Sequence, residues 1–245
     1  MTVLFRGLKI QKVVKQQDGE GRIQVGKSPL TFQMYRKLNE FMLKESTSES
    51  VFARAFLCLT WNLMCRSANT VSIHLHHMEW MDDSLSIYFA HMKNDQCGSR
   101  KRDPRHIYAN PFDPLICPIV CLAMYFSIFQ VYGTKDTALF PGDRQYDRFS
   151  SYLKYILNKH KHQFENEFGC QIEDIGVHSI RKDAGTYVSY GSTCAQPQVA
   201  TNIRAEWTMG SIHNTYLRYE SVGEQYVGRV VSSSLIHSAK FEFFH

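Results

Sequence analysis

The stretch Val177-His178-Ser179-Ile180-Arg181-Lys182-Asp183-Ala184-Gly185-Thr186-Tyr187 decides how this chain is read. It sets an imidazole and a guanidinium three positions apart, and helical spacing puts His178 and Arg181 on one face. Just downstream, Trp207-Thr208-Met209-Gly210-Ser211-Ile212-His213-Asn214-Thr215-Tyr216-Leu217-Arg218-Tyr219 adds an indole N–H and two phenols. A proton-transfer group, a fixed cationic fork and a hydroxyl nucleophile are the parts that attack a phosphodiester without metal. The chain holds 11 His and 28 Lys and Arg, so one His-x-x-Arg pair arises by chance. Alone it marks a solvated helix face. The reading therefore depends on basic residues placed upstream.

The 245 residues suit one large domain or a domain with an appendage. With 44% hydrophobic and 13% aromatic residues, the chain can bury a core, which argues against disorder. No run of about 18 apolar residues occurs, so no membrane span is expected. The N-terminal apolar run is short and interrupted by Arg6, unlike a signal peptide. The seven cysteines include no Cys-x-x-Cys, which predicts free thiols in a reducing, intracellular setting. Cys58, Cys65 and Cys121 fall in apolar helical contexts and read as small core hydrophobes. A net charge of +5 permits a polyanionic partner without requiring one. Local runs say more: Arg100-Lys101-Arg102, Arg105-His106 and His160-Lys161-His162 are solvated faces or phosphate contacts, and salt dependence separates the two.

Residues 1–28 are polar and turn-rich and read as a leader or linker. A helix is predicted from near Pro29, with Leu30, Met34, Leu38, Phe41 and Met42 on its apolar face and a break at Ser46-Thr47-Ser48. A second, from about Val51 to Cys65, is apolar nearly all round and so belongs in the core. Arg66 follows it, either as a cap on that helix's last carbonyls or as an anion clamp at the core's edge. Met78–Met81, a turn at Asp82-Asp83 and Leu85–Phe89 alternate with period two, and Arg105–Tyr108 returns as a third strand. Lys93 stands at the tip between, where lysines often serve only solubility. His74, His76 and His77 look like metal ligands, but a strand would throw His76 and His77 to opposite faces, so zinc is not expected. Further helices are predicted over Pro118–Tyr132, Tyr146–Phe164, around His178–Arg181, over Pro197–Ala205 and over Ile212–Tyr219. Residues 223–245, with Gly223, Gly228 and Ser232-Ser233-Ser234, read as a tail that packs on this subunit or a neighbour. The expected fold is mainly α with a small antiparallel β-sheet, an α+β arrangement. The domain division is 1–28, 29–222 and 223–245.

In chain order the functional set is Arg66, Lys93, His178, Arg181, Trp207 and Tyr216. An Arg after a core helix, a Lys on a hairpin, His-x-x-Arg on a later helix and an indole nine positions before a tyrosine resemble the tyrosine recombinase pattern. The phrases His178-Ser179-Ile180-Arg181-Lys182, Trp207-Thr208-Met209-Gly210 and Glu224-Gln225-Tyr226-Val227-Gly228-Arg229 are similar to eukaryotic Crypton-type recombinases. So is Ile107-Tyr108-Ala109-Asn110-Pro111 before Cys117-Pro118. The resemblance covers roughly residues 29–230. It departs from the family at Asn69, where an acidic residue often follows the first Arg, and in leaving little room for an N-terminal DNA-clamping domain.

The resemblance implies a catalytic-domain fold and DNA cleavage through a 3′-phosphotyrosyl link. It gives Tyr216 as nucleophile, Lys93 as the acid for the leaving 5′-oxygen, Arg66 and Arg181 as clamps on the non-bridging oxygens, His178 as handler of the tyrosine proton or a further member of the clamp, and Trp207 as an N–H donor. No metal or other cofactor is implied. Spacing from Trp207 selects Tyr216, whereas aligning Gly210-Ser211 with the usual bacterial Gly-His-Ser phrase selects Tyr219. Arg100, Lys101, Arg102, Arg105 and Lys182 are the expected DNA contacts. The implied partners are double-stranded DNA and further copies of the chain in a tetramer, with no membrane. The implied setting is a nucleus, within a transposable element. A domesticated DNA binder without catalysis and a type IB topoisomerase-like enzyme are the competing readings.

Overall fold

The computed structural model describes residues 30–89, 104–129, 137–191, 198–205, 207 and 221–233. Helix α1, Phe32–Glu45, begins where the Thr31 hydroxyl accepts the Met34 N–H at 3.3 Å. It ends at Ser46 in the left-handed region. Helix α2, Ser48–Leu63, starts two residues later because Thr47 and Ser50 cap each other reciprocally. From Ser50 to Leu63 every residue of α2 is buried, as the all-round apolar pattern predicts. It is the central rod of the molecule, in contact with α1 and with most of the helices named below. Trp61 shows the packing: its ring stacks on Tyr35 at 4.1 Å, and its indole N–H reaches the Val231 carbonyl at 3.3 Å.

A short helix α3, Ser67–Val71, follows, with Arg66 at its N-cap. The three-stranded sheet runs β1 (Met78–Met81), β2 (Ser84–Ile87), β3 (Arg105–Tyr108), antiparallel throughout and in that order. Asp82-Asp83 makes the predicted two-residue turn, with Asp82 at φ 52°. The strands differ in burial: β1 is largely exposed, while β2 and β3 are buried on both faces. Leu85, Ile87, Arg105 and Ile107 share the core face, and Ser84, Ser86, His106 and Tyr108 share the other.

That second face is covered by α9, Ser221–Val231. Part of the segment expected as a C-terminal tail is therefore a core helix, with Val227, Val230 and Val231 all buried. Gly228 makes this possible. A methyl built there would lie 2.7 Å from the His106 carbonyl and 2.9 Å from the Tyr108 ring.

Helix α4, Pro118–Phe129, packs along α2. The helix predicted over Tyr146–Phe164 is two, α5 (Gln145–Lys159) and α6 (Lys161–Phe168). They part at His160, whose ring stacks on Phe41 at 3.7 Å. Helix α7, Val177–Thr186, holds the deciding stretch and packs against α2. Helix α8, Gln198–Ala205, lies against α7 and α9. No described helix is long and apolar enough to cross a membrane.

Candidate active site

Helix α7 starts where Gly176 is extended and Ser179 turns back to cap it, its hydroxyl accepting the Gly176 N–H at 3.2 Å. Val177, Ile180 and Ala184 anchor the helix in the core. Register then fixes the rest. His178, Arg181 and Gly185 fall at i, i+3 and i+7, along one stripe. His178 is exposed and Arg181 half-buried. At Gly185 the stripe is covered by the indole of Trp207, which sits against the bare backbone. The backbone N–H of Trp207 donates to the Asn202 carbonyl of α8 at 2.9 Å. Arg181 Nη2 donates to the carbonyl of Ala205, the last residue of α8. The structure thus brings His178, Arg181 and Trp207 together on one edge of α7.

Arg66 lies in the connection after α2. Its carbonyl accepts the Asn69 and Thr70 N–H groups, at 2.8 and 3.2 Å, while its side chain is half-buried. Two other arginines reach the last carbonyls of α2. Arg105 Nη1 donates to the Leu63 carbonyl and Arg204 Nη2 to the Asn62 carbonyl, both at 2.8 Å. Arg105 is 3% exposed and its guanidinium lies 5.0 Å from the Phe89 ring centre. Burial therefore removes it from the surface set of DNA contacts, because it shares the core face of β3 with Ile107. Lys182 is exposed, next to Arg181. Lys93, Tyr216, Tyr219, Arg100, Lys101, Arg102 and the helix expected over Ile212–Tyr219 lie outside the described residues.

Three features near the site carried no sequence signal. Arg204 and Glu224 form a buried ion pair twenty positions apart, inside helices whose apolar periodicity gives no hint of it. Glu224 also accepts the His106 N–H. Burial, aided by the Arg204 charge, holds the His106 imidazole below its usual range, and its Nδ1 bonds Ser84 Oγ at 2.8 Å and Ser86 Oγ at 3.1 Å. Asp183 is the second feature. It points away from the His178–Arg181 stripe into the core, 4% exposed, and burial pushes its carboxyl up to about 7. Gly185 is the third.

His74, His76 and His77 do not lie on a strand. His74 makes an isolated bridge to Ala138, and Leu75–His77 form a 3₁₀ turn that packs the rings 4.3–5.3 Å apart. His77 Nδ1 accepts the His74 N–H at 3.2 Å, and His74 Nδ1 bonds Thr137 Oγ1 at 3.1 Å. Among the described residues no group of three His, Cys, Asp or Glu side chains is placed to hold a metal ion.

No family model matches the chain, and no curated protein does. Solved structures do. FLP recombinase in a Holliday-junction complex aligns over 95% of this chain at 11% identity, with a TM-score of 0.57. The XerH site-specific recombinase bound to its difH substrate, in a pre-cleavage complex, aligns over 89% at 14% identity and a TM-score of 0.52. The fold is that of a tyrosine recombinase catalytic domain. Its helical body and small antiparallel sheet are the arrangement expected from the sequence. The chain spans about half the length of these recombinases, 57% of the FLP chain and 52% of the XerH chain.

Proposed function

We propose that this chain cleaves and rejoins DNA strands as a site-specific recombinase. The observation that carries the reading is the α7 edge, where His178, Arg181 and Trp207 are gathered on a fold shared with recombinases solved on DNA. Arg66 and Arg181 present two guanidinium forks to the non-bridging oxygens of one phosphate, matching the charge that develops there. The Tyr216 oxygen attacks phosphorus and its proton passes to His178. The phosphotyrosyl ester forms as the bond to the 5′-oxygen breaks, and Lys93 protonates that oxygen. Rejoining is the reverse, with a 5′-hydroxyl as nucleophile, so the exchange consumes no water. Trp207 supplies an indole N–H to the phosphate. Fixed cations carry the charge stabilisation, and removing either clamp costs about 10²–10³ in rate. Arg100, Lys101, Arg102 and Lys182 hold the duplex backbone. The resemblance of the phrases around His178, Trp207 and Glu224 to Crypton-type recombinases supports a tetramer acting on nuclear DNA.

The test uses nicked suicide duplexes with a randomised core, from which the cleaved end diffuses away. A covalent protein–DNA band that survives denaturation is expected. Binding that weakens steeply with salt but gives no adduct selects the non-cleaving DNA binder. Relaxation of supercoiled plasmid by the monomer selects the topoisomerase-like enzyme. Either result contradicts the recombinase assignment.

A further inference from the structure

Gly185 stands in the interior of α7, where glycine costs stability relative to alanine. Nothing in its backbone angles requires glycine, because it is in ordinary helical conformation. What requires it is Trp207. A methyl at this position would overlap indole Cη2 and lie 2.9 Å from Cζ2 and 3.2 Å from Cζ3. The far end of the indole therefore rests on bare helix. The residue's main chain is held separately, its backbone N–H donating to the Asn202 carbonyl at 2.9 Å. Between these holds, Arg181 grips the Ala205 carbonyl two residues before the tryptophan. One edge of α7 thus fixes both the guanidinium and the ring.

We propose that Gly185 is a positioning residue: its missing side chain is the seat that sets the Trp207 indole beside Arg181. The inference rests on the recombinase reading, in which the indole N–H meets the phosphate. A hydrogen bond of that kind weakens steeply with misalignment, so a ring lifted off its seat loses the contact while the rest of the site stays built. Steric fit between positions 185 and 207 sets this part of the active site.

The test is a double-mutant cycle with Gly185→Ala and Trp207→Ala in the whole chain labelled with 5-fluorotryptophan. Three tryptophans give three ¹⁹F resonances, and the one lost in Trp207→Ala is assigned to Trp207. Gly185→Ala is expected to shift that resonance. It should also slow adduct formation on nicked duplexes at least about tenfold, at temperatures where the variant is folded. In the Trp207→Ala background the same substitution should change the rate less than about twofold, since the two sites act as one. There it should raise the melting temperature, because the clash is gone and only the helix-propensity gain remains. An unmoved Trp207 resonance, or an equal rate loss with and without the indole, overturns the proposal. If the wild-type chain forms no adduct, the ¹⁹F shift still decides the seat: an unmoved resonance removes it, and a shifted one keeps it while removing the recombinase reading.

Discussion

Arg204 and Glu224 meet as a buried ion pair, 1% and 4% exposed, joining the last turn of α8 to the first turn of α9. The same guanidinium takes the carbonyls of Asn62 and His106, each at 2.8 Å. One side chain therefore binds the end of α2, strand β3 and helix α9. Removing one partner would strand a charge in the core, at a cost of about 3–5 kcal/mol. Glu224→Gln and Arg204→Met should each lower the urea midpoint by that equivalent. The double variant Arg204→Met with Glu224→Leu should recover much of the loss, since two matched apolar groups leave no bare charge.

Gly228 predicts the opposite of ordinary helix behaviour. Alanine in place of an interior helical glycine normally stabilises by up to about 1 kcal/mol. Here the added methyl meets a backbone carbonyl at 2.7 Å, which cannot step aside. Gly228→Ala should therefore destabilise by about 1–3 kcal/mol, read from denaturant unfolding.

Asp183 gives the fold a pH dependence. Its native value of about 7 lies above the ordinary 3.8, because burial disfavours the carboxylate. Between these values the folded state holds the proton more tightly than the unfolded chain does. The stability this lends is full below about pH 4 and is lost as pH rises through 7. Asp183→Asn keeps a neutral side chain throughout, so it should leave stability little changed at pH 4 and raise it at pH 8 by up to about 4 kcal/mol. Thermal melts of both proteins from pH 4 to 8 check the difference in slope.

Much of the fold was legible because it follows local rules. Met34, Leu38, Phe41 and Met42 mark the apolar face of α1, and the alternation around Asp82-Asp83 gives the hairpin and its turn. The misreadings share a cause, namely that distant packing overrode the local pattern. His160 divides a continuous helical pattern because its ring stacks on Phe41, far away in sequence. Gly223, Gly228 and the serines beyond read as a tail, yet Gly228 is a helix-to-strand contact point. Arg105 looked like part of a basic surface run, although strand register already put it on the Ile107 face. In the site, the His178–Arg181 stripe was legible from spacing. The Gly185–Trp207 fit joins residues 22 positions apart and shows only when α7 and α8 are packed.

The most direct measurement is to find the atom that DNA is joined to. The covalent species from a nicked duplex would be digested with nuclease and protease, and the peptide carrying the residual nucleotide sequenced by mass spectrometry. A 3′-phosphotyrosyl nucleotide on Tyr216 is expected, with the adduct lost in Tyr216→Phe and kept in Tyr219→Phe. An adduct on any other residue, or one that survives in Tyr216→Phe, would contradict the Tyr216 assignment.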